Sequence, residues 1–136
     1  MDSPHRPLLV ATAETVAFYD TDCGGVVSNI AYLRYVEKAR IALFEALGMP
    51  AGTMMETGLF PTVVRTEIDY RFPARLGEEV KVSARLAAVE KARCRCAFQL
   101  EVGERTVAEA IQTVALVQMP KGRPLRIPQE WAALVG

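Results

Sequence analysis

The sequence predicts an α+β domain in which a five-stranded antiparallel sheet wraps around one long central helix. Three observations carry this. Apolar residues recur at helical spacing from Asn29 to Leu47. From Val64 to Met119 the pattern changes to alternation, interrupted by short glycine-containing turns. The chain has 136 residues, 51% of them hydrophobic, which is room for one domain with one core, and 1–136 is read as that single domain.

Residues 1–12 read as a loose N-terminal tail, and Glu14 to Tyr19 as a first strand carrying Thr15, Val16, Phe18 and Tyr19. An Asp/Gly loop follows. Ser28 or Asn29 caps the helix, and Gly48 with Pro50 stops it. Ile30, Leu33, Val36, Leu43, Phe44 and Leu47 define its apolar face, and Ala31, Tyr32, Tyr35, Ala39, Ile41, Ala42 and Ala46 widen that face until the helix must be mostly buried. Residues 51–58 read as a loop. Val64, Thr66, Ile68, Tyr70 and Phe72 then alternate with charged residues, up to Pro73. Val80 to Leu86 and Cys94 to Val102 form two more alternating strands. Thr106 to Met119 is a last long strand, apolar at both parities and therefore central or bulged. A short terminal helix is expected over Ile127 to Val135. An antiparallel sheet with one apolar face needs a cover, and the only long helix is the buried one. Such a sheet also leaves an edge for a twin subunit to pair.

The totals exclude several function classes. Sixteen basic and sixteen acidic residues give a net charge of zero, so no basic stripe marks a nucleic-acid binder. No run approaches the ~20 apolar residues of a membrane span, and Leu8-Leu9-Val10 is too short for a signal-peptide apolar region. Three cysteines, with Cys94 and Cys96 on one strand face beside Phe98 and Leu100, read as buried reduced thiols in a cytoplasmic protein. The single histidine, His5, falls in the tail. That removes Ser-His-Asp and Cys-His sites and the His-rich zinc sites, and three cysteines cannot make a four-Cys site. Metal-free chemistry then falls to a carboxylate.

The carboxylates with the most telling setting lie in Asp20-Thr21-Asp22-Cys23-Gly24-Gly25-Val26-Val27-Ser28-Asn29. Two acids, a glycine pair and a helix start put a reactive side chain near backbone N–H donors, the minimal kit for attacking a carbonyl. A plain turn with an N-cap uses the same residue types. A calcium loop fails, because its twelfth position is Ala31 instead of Glu. Asp20 is read as structural, either a solvated strand end or an acceptor for loop amides. Cys23 lacks a histidine base to act as nucleophile. Tyr32 and Tyr35 either pack in the core or line an acyl pocket. Arg65, Arg71 and Arg75 read as a solvated strand face, and Arg40 is expected to pair with Glu37.

The run Phe18–Val27, with Asn29, Tyr32-Leu33, Tyr35, Glu37 and Ala39-Arg40, resembles the signature of the 4-hydroxybenzoyl-CoA thioesterase family, and most closely its Tol–Pal-associated acyl-CoA thioesterase branch. Pro61-Thr62-Val63-Val64-Arg65 and the segment from Tyr70 to Glu78 resemble the same branch, so the likeness runs over about residues 14 to 119. It implies the hotdog fold, which is the helix-in-sheet arrangement above. It also implies that Asp22 is the catalytic carboxylate, as nucleophile or general base, and that Gly25 permits close approach of substrate. Amides near Ser28 and Asn29 would polarise the carbonyl, and Val26 and Tyr32 would join the substrate-binding surface. The implied partners are an acyl-CoA substrate and a second copy in a homodimer or homotetramer, with the active site between subunits and no cofactor beyond the coenzyme A of substrate or product. The branch commonly carries an aromatic residue and a histidine where this chain has Ser28 and Asn29, which bears on acyl preference. Some of Arg71, Arg75, Lys91, Arg93, Lys121 and Arg123 would meet the phosphates of coenzyme A. Three alternatives stand beside this reading: an acyl carrier protein as the carrier, a hotdog protein that binds thioesters or assembles without turnover, and a hydratase, which would use an Asp/His pair and is opposed by the lone His5 in the tail.

Overall fold

The computed structural model describes residues 6–136, so His5 and the first part of the expected tail lie outside the described residues. The remainder of that tail is ordered differently from expectation. Strand β1 spans Leu9–Thr15 and pairs antiparallel with β3 (Glu79–Val89), while Phe18–Asp20 forms a 3₁₀ turn in place of a strand. The cause is local. The Asp20 carboxylate accepts the Ala17 N–H at 3.0 Å and closes the turn, a side-chain bond that competes with strand pairing. Phe18 and Tyr19, whose aromaticity favours a strand, consequently stand about 80% exposed.

Helix α1, Asn29–Ala46, starts where Ser28 caps it, with the Ser28 hydroxyl accepting the Ala31 N–H at 3.3 Å. It stops where Gly48 turns left-handed at φ 88°. There the Gly48 and Met49 amides bond back to the Glu45 and Phe44 carbonyls. Tyr35, Val36, Leu43 and Phe44 are buried along it, each contributing roughly 1.5–3 kcal/mol of gross burial. Residues 51–58, read as a loop, contain a seven-residue helix α2 (Ala51–Thr57) that ends at Gly58. Its shortness and Gly52 conceal it from periodicity.

The sheet is completed by β2 (Leu59–Tyr70), β4 (Arg93–Val102), β5 (Arg105–Gln118) and β6 (Arg123–Leu125), in the order β1-β3-β4-β5-β2 with β6 alongside β5. β6 makes a sixth strand, hidden in the sequence by Pro124, which an edge strand tolerates. β5 is both central and bulged. It lies between β4 and β2, and its register against β4 shifts at Val107. Val80, Val82, Ala84 and Leu86 of β3, with Cys94, Cys96, Phe98 and Leu100 of β4, bury one face against the helix. The C-terminal turn Gln129–Leu134 closes the end of the core, where Trp131 meets Phe44 edge-on at 5.9 Å. A curved antiparallel sheet holding one long helix is the hotdog arrangement.

Two asymmetries position the site. α1 packs mainly against β1 and β3 and less against β4, while β2 meets it at Tyr70, whose hydroxyl donates to the Asn29 carbonyl at 3.4 Å. β2 is also an unpaired edge over its twelve residues. No helix among the described residues is long and apolar enough to cross a membrane.

Candidate active site

Asp22 sits at the tip of a two-stranded hairpin. Thr21 pairs with Val27, the Asp22 N–H bonds the Val26 carbonyl at 3.0 Å, and Gly25 N–H bonds the Asp22 carbonyl at 3.0 Å. Gly25 takes φ 73°, where only glycine is at ease, and a Cβ built there would meet nothing within 4 Å. The space over Gly25 is therefore open to a ligand. The Asp22 side chain is exposed. Its Oδ1 accepts the Gly24 N–H at 3.0 Å, while Oδ2 has no partner among the described residues. One oxygen is held and the other is presented.

The neighbouring carboxylate is its opposite. Asp20 is 3% exposed and accepts from the Ala17 amide, the Tyr35 hydroxyl at 2.9 Å and the Arg34 guanidinium. Burial opposes its ionisation, but the Ala17, Tyr35 and Arg34 bonds together outweigh that and hold its pKa below the ordinary value. The same burial and the Asp20 charge push the Tyr35 hydroxyl well up. Asp20 is thus an acceptor for a loop amide, and the solvated strand end is ruled out. It pins the root of the hairpin to the first turns of α1, and the Ser28 N–H completes the tie by bonding the Asp20 carbonyl at 2.9 Å.

The helix amides are divided. Ser28 N–H is consumed by Asp20, and Ala31 N–H by the cap. Asn29 and Ile30 N–H, with Val26 N–H in the hairpin, remain without acceptors among the described residues. Ser28 is a cap, and the donors lie just after it. Asp22 lies two ladder steps from the Asp20–Ser28 level, about 7 Å along the strand direction. Within one chain, then, the carboxylate and the helix start share a surface without touching. Tyr32 is 3% exposed, and its hydroxyl accepts the Ala74 N–H at 3.0 Å, which places it in the core, against Tyr70 at 5.4 Å.

The candidate phosphate-binding cations scatter. Arg71 pairs with Glu109 at 3.1 Å. Arg75 is exposed beside the hairpin, since Val26 bridges to it. Lys91 and Arg93 lie past the far end of β3, ten strand residues from its start beside the hairpin, roughly 30 Å away. Lys121 and Arg123 follow β5 at that same end. Arg40 meets Glu37 at 3.5 Å as expected, but also donates to Gln112 Oε1 at 3.1 Å, a contact that no sequence spacing announces. A separate concavity of about 340 Å³, lined by Leu9, Arg85, Ala97, Gln99 and Ile111 among others, opens on the sheet face away from α1 and holds none of these site residues.

Cys94 and Cys96 are free and buried, and Cys23 is free and exposed. The adjacent Cys94 sulfur and burial both push the Cys96 thiol upward. The native chain should therefore show one fast-reacting thiol toward a chromogenic disulfide, with the other two appearing only on unfolding. A second fast thiol would mean that the inner face of β4 is open.

Residues 16–135 match the profile describing the thioesterase-like superfamily. The chain belongs to this superfamily. It is 31% identical over 116 residues to the acyl-CoA thioesterase YbgC of Haemophilus influenzae, with 85% of each chain covered. Among solved structures, a hypothetical protein from Thermus thermophilus (TT1821) superposes with a TM-score of 0.80 at 30% identity, covering 93% of this chain and 95% of that one. A probable thioesterase from Bartonella henselae superposes at 0.82 with 25% identity, covering 89% of this chain and 100% of the other. The thioesterase-like chain thus shares its fold with these two solved structures.

Proposed function

We propose that this thioester hydrolase cleaves an acyl-CoA to free acid and coenzyme A, with Asp22 as the reactive carboxylate. The observation that carries the reading is the split of Asp22, with Oδ1 accepting the Gly24 N–H and Oδ2 without a partner among the described residues, in a turn where Gly25 leaves open space. In the general-base route Oδ2 takes a proton from water while the water oxygen adds to the carbonyl carbon. The C–S bond then breaks, and the sulfur leaves with that proton. In the nucleophilic route Oδ2 itself adds, the thiolate leaves, and water hydrolyses the resulting anhydride. Both develop an oxyanion, which Asn29, Ile30 or Val26 N–H can meet. Neither needs a metal or prosthetic group. The Asp20–Val27 loop and the Pro61–Glu78 block support a place in the 4-hydroxybenzoyl-CoA thioesterase family, in its Tol–Pal-associated branch. Three unpaired cysteines fit a cytoplasmic setting.

The site is completed by a second copy across the β2 edge. A two-fold antiparallel pairing of two β2 strands sets the Leu59 end of one chain beside the Tyr70 end of the other. The cations that follow β5 at the Leu59 end, Lys121 and Arg123, would then approach the partner's hairpin, where coenzyme A phosphates need them. The chain should sediment as a dimer or a multiple of one, and the outward amides of residues 59–70 should exchange slowly with deuterium until dilution dissociates the pair. A monomer with fast-exchanging β2 amides would remove the intersubunit site.

Thiol release from a panel of acyl-CoA thioesters, and from the same acyl groups on acyl carrier protein, tests the activity and names the carrier. Tight acyl-CoA binding with no release on either carrier would favour the non-catalytic alternative.

A further inference from the structure

On the proposed thioesterase reading, the acyl group lies along the inner face of β2 beside α1, where Thr66, Ile68 and Tyr70 are not buried, and that surface is layered. Strand register defines the layers: Tyr70 lies opposite Ala108, Ile68 opposite Ala110, and Thr66 opposite Gln112. The mouth is Tyr70, whose hydroxyl donates to the Asn29 carbonyl at 3.4 Å, next to the helix amides of the site. The middle is apolar, with Ile68 and Ala110 on the sheet and Leu33 and Val36 on the same helix side as Asn29. Leu33 is 41% exposed and open to a ligand, whereas Val36, one turn on, is fully buried beneath it.

The far end is polar. Arg40 Nη1 donates to Gln112 Oε1 at 3.1 Å, and Gln112 Nε2 donates to Thr66 Oγ1 at 3.2 Å. Gln112 and Asp20 are the two buried polar or charged side chains among the described residues. Asp20 serves the hairpin. Gln112 interrupts an otherwise apolar inner face, between Ala110 and Val114, and ties the sheet to the helix through Arg40. Arg40 is only 17% exposed, and its fork uses two contacts, one of them a 3.5 Å approach to Glu37, out of five N–H donors.

We infer that Arg40, Gln112 and Thr66 form a selectivity shelf that favours a medium-length acyl group ending in a carboxylate over one ending in methyl. Tyr70 to Thr66 is four strand residues, about 13 Å, which sets the reach. A methyl end brought against the shelf displaces water from polar groups and returns nothing. A carboxylate end accepts the spare guanidinium donors.

The test is kcat/KM for octanoyl-CoA against suberoyl-CoA, the same chain with its terminal methyl replaced by carboxylate. The wild type should favour suberoyl-CoA at least tenfold. Arg40→Met should erase that ratio, mainly through KM for suberoyl-CoA, and Arg40→Lys should restore part of it. Should Arg40→Met fail to fold, Thr66→Val gives a smaller shift in the same direction. A wild-type preference for octanoyl-CoA, or a ratio unmoved by these substitutions, overturns the shelf while leaving the thioesterase reading intact. Failure to hydrolyse any thioester overturns the thioesterase reading and the shelf with it.

Discussion

Asp22→Asn lowers thioester hydrolysis by about a hundredfold or more, because a positioned proton acceptor contributes roughly 10²–10⁴ in rate. The substitution isolates the chemistry from the fold. Asparagine keeps an Oδ1 that can accept the Gly24 N–H, and it is as comfortable as aspartate in this kind of turn. The side chain is exposed and braces no other element, so the unfolding midpoint and far-ultraviolet spectrum should match the wild type. What the amide loses is the charged Oδ2 that takes a proton or adds to carbon. The loss should fall on kcat, with KM little changed. Cys23→Ser, one residue along, should leave turnover untouched, since the thiol has no base. Full activity in Asp22→Asn, with folding intact, would move the chemistry off this side chain and leave the hairpin as a binding loop.

The fold was legible wherever periodicity ran long. The helix from Asn29, its Ser28 cap and Gly48 stop, the inward pair Cys94 and Cys96, and the dual parity of β5 all follow from spacing and capping. Short elements were not legible. α2 is seven residues long and β6 three, too little for a period to show, and β1 was displaced by aromatics that the Asp20 turn pulls out of the sheet. The hairpin announced itself through its glycines and acids, and Asp20 reads as structural there, but the partners that make it so were not legible. Asp20 and Asp22 are equivalent in local sequence. What separates them is Tyr35 and Arg34, more than ten residues away and brought alongside only by packing. The Gln112–Arg40 contact spans 72 residues and had no local signal at all.

Asp20→Ala carries the largest expected cost in stability, about 3 kcal/mol, and the reason lies in what it strands. Tyr35 is fully buried, and its hydroxyl has Asp20 as partner, so truncation leaves a buried donor unsatisfied at about 1–3 kcal/mol. The Ala17 amide loses its acceptor too, and with it the 3₁₀ turn that begins the hairpin. Arg34 adds little, since its side chain is 48% exposed and rehydrates. Asp20→Asn should be milder, because one oxygen still accepts, although the amide NH₂ then faces donors. The acid side of the stability curve supplies a second check. The folded carboxyl titrates below its unfolded value of 3.8, so its contribution is fully present above that value and fades as pH falls through the lower folded pKa. Urea unfolding should therefore show a wide gap between wild type and Asp20→Asn near neutrality that narrows below pH 3.8. A gap that persisted unchanged into acid would mean that packing, and not the ionised carboxylate, ties the hairpin to the helix. Because the same ties hold Asp22 in place, Asp20→Asn should also lower kcat at temperatures where it remains folded, and less than Asp22→Asn does.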